Sequence, residues 1–134
     1  MQGLSVKLPI RYDVKHGGYG LHTEFKDLAL QNFKNLILTC PGERMMMPEF
    51  GVGLRNYLFL QDTEIESEVN LKIYEQAKFY MPYITILRIV FDKALDPFMN
   101  NFISIKIIFR VDPINADLVL QANVNDNSSD FILT

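Results

Sequence analysis

The chain has 134 residues, 49% of them hydrophobic and 22% charged, the composition of one globular domain with a real core rather than of a disordered chain. A net charge of −3 with scattered Lys and Arg argues against a nucleic-acid partner, which would call for a basic face. One cysteine cannot form an internal disulfide, and no apolar run approaches the ~18 residues of a membrane span. The opening MQGLSVKLPIRYD also lacks the apolar core of a secretory signal.

Residues 1–22 hold Pro9, Gly17, Gly18 and Gly20 among polar neighbours, and so read as an extended arm. From Thr23, a candidate N-cap, Phe25, Leu28, Ala29, Phe33, Leu36 and Ile37 recur at three- and four-residue spacing. That pattern predicts an amphipathic helix ending at Pro41-Gly42. The segment TCPGERMMMPEFGVGLR, residues 39–55, follows as a loop or hairpin-like excursion, and residues 54–59 suggest a short helical turn. Thr63 to Glu66 has capping-box spacing, and Ile65, Val69, Ile73, Ala77 and Met81 continue an apolar stripe until Pro82 stops the helix.

Beyond Pro82 the period falls to two. Residues 84–92 and 102–111 are rich in β-branched side chains, with Ile103, Ile105, Ile107, Phe109 and Val111 alternating with Ser104, Lys106, Ile108 and Arg110. The intervening KALDPFMNN predicts an antiparallel hairpin with a longer loop, Asp112-Pro113 ends its second strand, and residues 118–124 can add a third. The last ten residues, 125–134, read as a flexible tail. The expected architecture is therefore α+β: one domain over 1–134, a small antiparallel sheet packed by two amphipathic helices, with an extended N-terminal arm.

Chemistry finds little purchase. Nucleophilic catalysis needs Ser, Thr or Cys beside a base, but the only histidines, His16 and His22, lie in the arm, away in sequence from Cys40. No CxxC, HExxH or Asp-rich calcium loop suggests a metal, and no cofactor motif is present; Gly51-Val-Gly53 lacks the context of a phosphate loop. Glu43 and Glu49 flank the methionines and form a possible carboxylate pair for glycoside hydrolysis. The simpler reading pairs Glu43 with Arg44 or Arg55. Met45, Met46 and Met47 are either core filler or, in an extended strand, adaptable groups sent to both faces, as an interface requires.

The stretch NFKNLILTCPGERMMMPEFGVGLRNYLF, residues 32–59, resembles the baseplate wedge and sheath-initiator proteins of contractile phage tails, whose relatives occur in type VI secretion baseplates. Gly42-Glu43-Arg44 and Pro48-Glu49-Phe50-Gly51 carry the likeness, with Leu54 and Leu58-Phe59 after them. The order of elements over about residues 12–122 agrees. Many such relatives close the second helix with an aromatic residue and Glu-Pro-Arg; here Tyr80-Met81-Pro82-Tyr83 stands there, so the ion pair is replaced by apolar and aromatic groups.

The resemblance implies a structural protein rather than an enzyme, although relatives have carried the label of acidic lysozyme. It implies a place in the virion, at the tail baseplate after assembly in the host cytoplasm. Its partners would be baseplate wedge proteins and the tail sheath protein, with six copies around the tube and neither nucleic acid nor membrane. The expected contacts are Gly42, Glu43, Arg44, Met46, Pro48, Glu49, Phe50 and Gly51, the group Met81, Pro82 and Tyr83, and Val119 on a sheet edge. Strand 102–111 is expected at the centre, with 118–124 or 84–92 at the edge. A lysozyme-like hydrolase and an adaptor of a bacterial contractile secretion baseplate are the alternatives.

Overall fold

A computed structural model describes residues 3–14, 17–57, 62–93 and 103–123. His16, Leu58, Phe59, the loop through residues 94–102 and the tail 125–134 lie outside the described residues.

The arm is more folded than an extended tail. Strands β1 (Ser5–Val6) and β4 (Leu21–His22) pair antiparallel, as do β2 (Tyr12–Asp13) and β3 (Gly18–Tyr19), so the arm doubles back on itself. Ladders of two residues are too short to stand alone. Gln31 of helix α1 (Phe25–Leu38) holds the arm: its amide donates to the Val6 carbonyl at 3.0 Å, and its oxygen accepts the Leu8 N–H at 2.8 Å. That oxygen also lies 2.7 Å from Nε2 of His22, so the imidazole donates from Nε2.

Helix α1 begins one residue later than its Thr23 signal suggests. Glu24 is the N-cap, extended at φ −101° and ψ 136°, and its carbonyl accepts the Leu28 N–H; no side chain caps this end. Ala29, Leu30, Phe33, Leu36 and Ile37 are buried, the spacing having put them on one face. The helix stops at Leu38 because Cys40 precedes a proline and favours extended backbone. Thr39 is already extended, and its N–H closes the last turn onto Asn35.

Helix α2 (Asp62–Tyr80) buries Ile65, Val69, Ile73 and Ala77, and Met81 continues the row into the core. Pro82 then turns the chain into strand β5 (Ile84–Lys93), followed by β6 (Ile103–Val111) and β7 (Ala116–Asn123). The sheet order is β5-β6-β7, antiparallel throughout, so the Ile-rich strand is central as expected. Ile105, Ile107, Phe109 and Val111 face the helices with Leu118 and Leu120 of β7, and Phe33 meets Phe109 at 4.6 Å between ring centroids. The fold is α+β, as the sequence predicts.

The two edges differ. Strand β7 keeps an unbroken register with β6, from Val111↔Ala116 to Ser104↔Asn123. In β5 the register slips between Ile86 and Arg88, leaving Leu87 as an extra, exposed residue. A bulge of this kind moves the inward positions from Ile84 and Ile86 to Ile89 and Phe91, and bends the strand.

Candidate functional site

The loop of residues 39–53 is built by backbone hydrogen bonds rather than by a regular element. The Gly42 N–H donates to the Pro48 carbonyl at 2.8 Å, closing its neck. Within that neck, the Glu43 N–H reaches the Cys40 carbonyl while the Cys40 N–H donates to the Glu43 carboxylate, each at 3.1 Å. The Met47 N–H donates to the Arg44 carbonyl at 3.1 Å, making residues 44–47 a tight turn. Met45 and Met46 occupy its tip and are 94% exposed. An extended strand would have split these methionines between two faces; the turn sends both outward, and neither is core filler.

The returning limb is anchored to both helices. The Gly51 N–H donates to Oε1 of buried Gln76 at 2.9 Å, and the Gln76 amide donates to the Glu49 carbonyl at 3.1 Å. The Val52 N–H then donates to the Leu36 carbonyl at 3.0 Å, near the end of α1. Here Gly51 has φ +113°, and a Cβ on it would lie 2.1 Å from the Thr39 carbonyl oxygen. Only glycine fits a backbone that close in that conformation. Phe50 packs edge-on against Tyr80 at 4.9 Å, and the Arg44 guanidinium lies over the Phe50 ring, 4.0 Å from its centroid.

The expected contact residues thus fall into three groups. Gly42, Glu43, Arg44, Met46, Pro48 and Glu49 are exposed on the loop. Phe50, Gly51 and Met81 are buried by the chain's own residues, because the apolar row of α2 runs on into Met81 and Gln76 pins Gly51; their side of the loop shapes the site instead of presenting it. Pro82 is exposed, and Tyr83 is half-buried against Phe25, with ring centroids 5.5 Å apart. Burial pushes the Tyr83 phenol up, with a hydrogen bond to Asn32 working the other way. The contact between Phe50 and Tyr80 brings the loop against the end of α2. Val119 belongs to another surface: it pairs with Ile108 on edge strand β7, half-buried.

Gln31 and Gln76 were missed as determinants. Gln76 had a signal, since it sits beside Ala77 and three residues after Ile73, a polar residue on the apolar face of its helix. Gln31 has none, as its partners lie in an arm whose folding the sequence does not announce.

The chemistry open to the loop is narrow. Burial pushes the Cys40 thiol up, and the Glu43 carboxylate adds to that, which disfavours the thiolate a nucleophile needs. Glu43 and Glu49 are both exposed, without the apolar enclosure that makes a glutamate a general acid. Among the described residues no three His, Cys, Asp or Glu side chains cluster as metal ligands, and no helix is long and apolar enough to cross a membrane.

No family model matches the chain, and no curated protein matches it in sequence. Its fold is shared with solved structures. A crystal structure from Geobacter sulfurreducens, provisionally named a tail lysozyme, superposes with a TM-score of 0.64 at 19% identity, covering 81% of this chain and 98% of that one. A chain of the anti-feeding prophage baseplate, seen in a six-fold symmetrised cryo-EM structure, gives a TM-score of 0.68, also at 19% identity, and the match covers 79% of this chain and 82% of that one.

Proposed function

We propose that this protein is a structural component of a contractile-tail baseplate, joining wedge subunits and starting the sheath by lending a sheet edge to it. The observation that carries the reading is the open side of β7: its register with β6 is unbroken, and no described strand pairs with its outer edge. Such an edge has unpaired backbone N–H and C=O groups able to accept an incoming strand. The bulge at Leu87 makes β5 the poorer template. The fold neighbours support the setting, since one belongs to a baseplate.

A junction of about five backbone hydrogen bonds, at roughly 0.5–1.5 kcal/mol net each, is weak alone. Repeated in six copies around a tube it gains avidity, because each later contact is effectively intramolecular. Free subunits then stay apart while an assembled ring nucleates the sheath. The exposed loop face, with Gly42, Glu43, Arg44, Met46, Pro48 and Glu49, is assigned to the wedge side, and Pro82 and Tyr83 extend it at the end of α2. The location that follows is the tail baseplate of a virion or of a bacterial contractile secretion machine.

Val119→Pro tests the edge. The monomer keeps its helical and sheet signals in circular dichroism, but sheath no longer grows from baseplates that carry the variant. Sheath of normal length on those baseplates would count against augmentation at β7. One neighbour's name raises a glycan hydrolase instead. Clearing of a peptidoglycan suspension by the purified protein, lost in Glu43→Gln, would replace the structural reading with that one.

A further inference from the structure

The register of the sheet fixes which groups β7 offers. The Asp112 N–H donates to the Tyr83 carbonyl at 3.0 Å, so Asp112 and, by alternation, Arg110 turn their backbone groups toward β5. Val111 and Phe109 therefore bond β7 through Ala116 and Leu118, and the backbone groups of Asp117 and Val119 point outward. The side chains of Asp117 and Val119 stand on the sheet face away from the helices, while Leu118 is buried on the helix side. A strand laid along this edge follows the same alternation, so its residue beside Leu118 also faces the helix side.

On that side α1 and the arm enclose an open cavity of about 440 Å³, lined by Leu30 from the helix and by Leu8 and Pro9 from the arm. Helix periodicity shows which flank of α1 this is. Phe33 points at Phe109 on the central strand, and Phe25 and Asn32, about 80–100° round the helix from it, turn to Tyr83 just before β5. Leu30, Lys34 and Asp27 lie about 60–120° round in the other sense, on the β7 side. Leu30 also stands between Phe25, level with Tyr83, and Phe33, level with the Phe109–Leu118 pair. The cavity and the open edge thus share one side of the molecule. Asp27 and Lys34 both line the cavity with opposite signs, so charge selects nothing there; it offers room and an apolar floor.

We propose that this cavity is the side-chain pocket of the strand-accepting edge. The partner is an extended segment that pairs with β7 and sends a large apolar side chain, aromatic or branched, from its residue beside Leu118 into the space between Leu8, Pro9 and Leu30. The inference rests on the strand-accepting role of β7 proposed above and adds the partner's chemistry to it. Backbone pairing alone accepts any extended chain, and pockets for alternate side chains are what let such an edge discriminate. Leu8, 51% exposed in the free protein, is covered in the complex, and Gln31 keeps the arm in place to receive the strand through its bonds to Val6, Leu8 and His22.

The test uses assembled tails in which a photo-crosslinking benzoylphenylalanine replaces Leu8 in one preparation and Val119 in another. Both positions capture the same protein, and peptide mapping places the two captured sites within about five residues of each other in one segment. The residue captured from Leu8 is aromatic or branched and apolar. Leu8→Asp and, separately, Leu8→Trp keep the circular dichroism spectrum, because the bond that seats this residue is made by its backbone N–H. Each lowers the share of baseplates that carry sheath about tenfold or more, the factor that burial of one large apolar side chain supplies. Normal sheath on Val119→Pro baseplates overturns the edge reading and this inference with it. Sheath lost with Val119→Pro but normal with both Leu8 variants overturns the pocket alone. So does a Leu8 position that captures nothing, another protein, or a segment remote from the one captured at Val119.

Discussion

The loop of residues 39–53 and the arm of residues 3–22 both lack long regular elements, yet they are held in opposite ways. The loop is fastened to the core: Gly51 and Glu49 bond Gln76, Val52 bonds Leu36, and Phe50, Val52 and Leu54 are buried. The arm is held mainly by Gln31 and short backbone ladders, and most of its large apolar side chains, Leu4, Leu8, Ile10, Tyr12, Val14 and Tyr19, are exposed. Irregular backbone is therefore not the same as loose backbone. What matters is where its hydrogen bonds end, and in the loop they end on the two helices that make the core.

The sharpest way to break that contrast is Gly51→Ala. The new methyl would have to displace the Thr39 carbonyl, at a backbone angle that side chains rarely adopt. A loss of about 3–5 kcal/mol in urea unfolding is expected, at the upper end for single substitutions. Gly17 also has a positive φ, +67°, but nothing lies within 4 Å of its added Cβ. Gly17→Ala therefore carries only the backbone strain, about 1 kcal/mol. Equal losses at the two sites would mean that the loop is not seated as described.

The two glutamines sharpen the comparison at the next level. Gln76→Leu leaves the Gly51 N–H and the Glu49 carbonyl without their partner in a buried place, and a loss of about 2–3 kcal/mol in global stability follows. Gln31→Leu removes three bonds from the arm, those to the Val6 carbonyl, the Leu8 N–H and His22 Nε2, at a place only partly shielded from water. Global stability falls by about 1 kcal/mol or less. Hydrogen exchange at Leu8 should nevertheless speed up well beyond that of β6, because the arm opens without the core. A Gln31→Leu variant as unstable as Gln76→Leu would make the arm part of the core's cooperative unit.

The same contrast explains what could be read from the sequence. The β6 alternation and the α2 row were legible because one buried face imposes a period on neighbouring residues. Ile107 and Phe109, or Val69 and Ile73, announce their side of the chain within a few positions. The loop's seat was not legible, since it depends on bonds from Gly51 to Gln76 and from Val52 to Leu36, residues brought together only by folding. The arm's ladders are shorter than any pattern that alternation can reveal, and the Leu87 bulge breaks the period it would have had to show. In the candidate site the recurring Gly and Pro marked a shaped turn, but not which of its residues faced in. Phe50 and Met81, both among the expected contacts, lie in the core, where the α2 row also places Met81.

Met46→Ala is the mildest test, and it separates the tip of the loop from its seat. Met46 is 94% exposed at a turn whose closing bond is made by the backbone, so truncation removes almost no buried area and no hydrogen bond. Urea unfolding should shift by less than about 0.5 kcal/mol, within the range of ordinary surface changes. A core methionine such as Met81, 5% exposed, should lose about 2–4 kcal/mol on the same truncation. If the exposed face of the loop is where neighbouring baseplate subunits attach, Met46→Ala lowers incorporation into baseplates while the free protein unfolds as before. Unchanged incorporation of Met46→Ala together with Met45→Ala would remove the tip from the contact and leave the loop with a purely internal role, bracing the ends of α1 and α2.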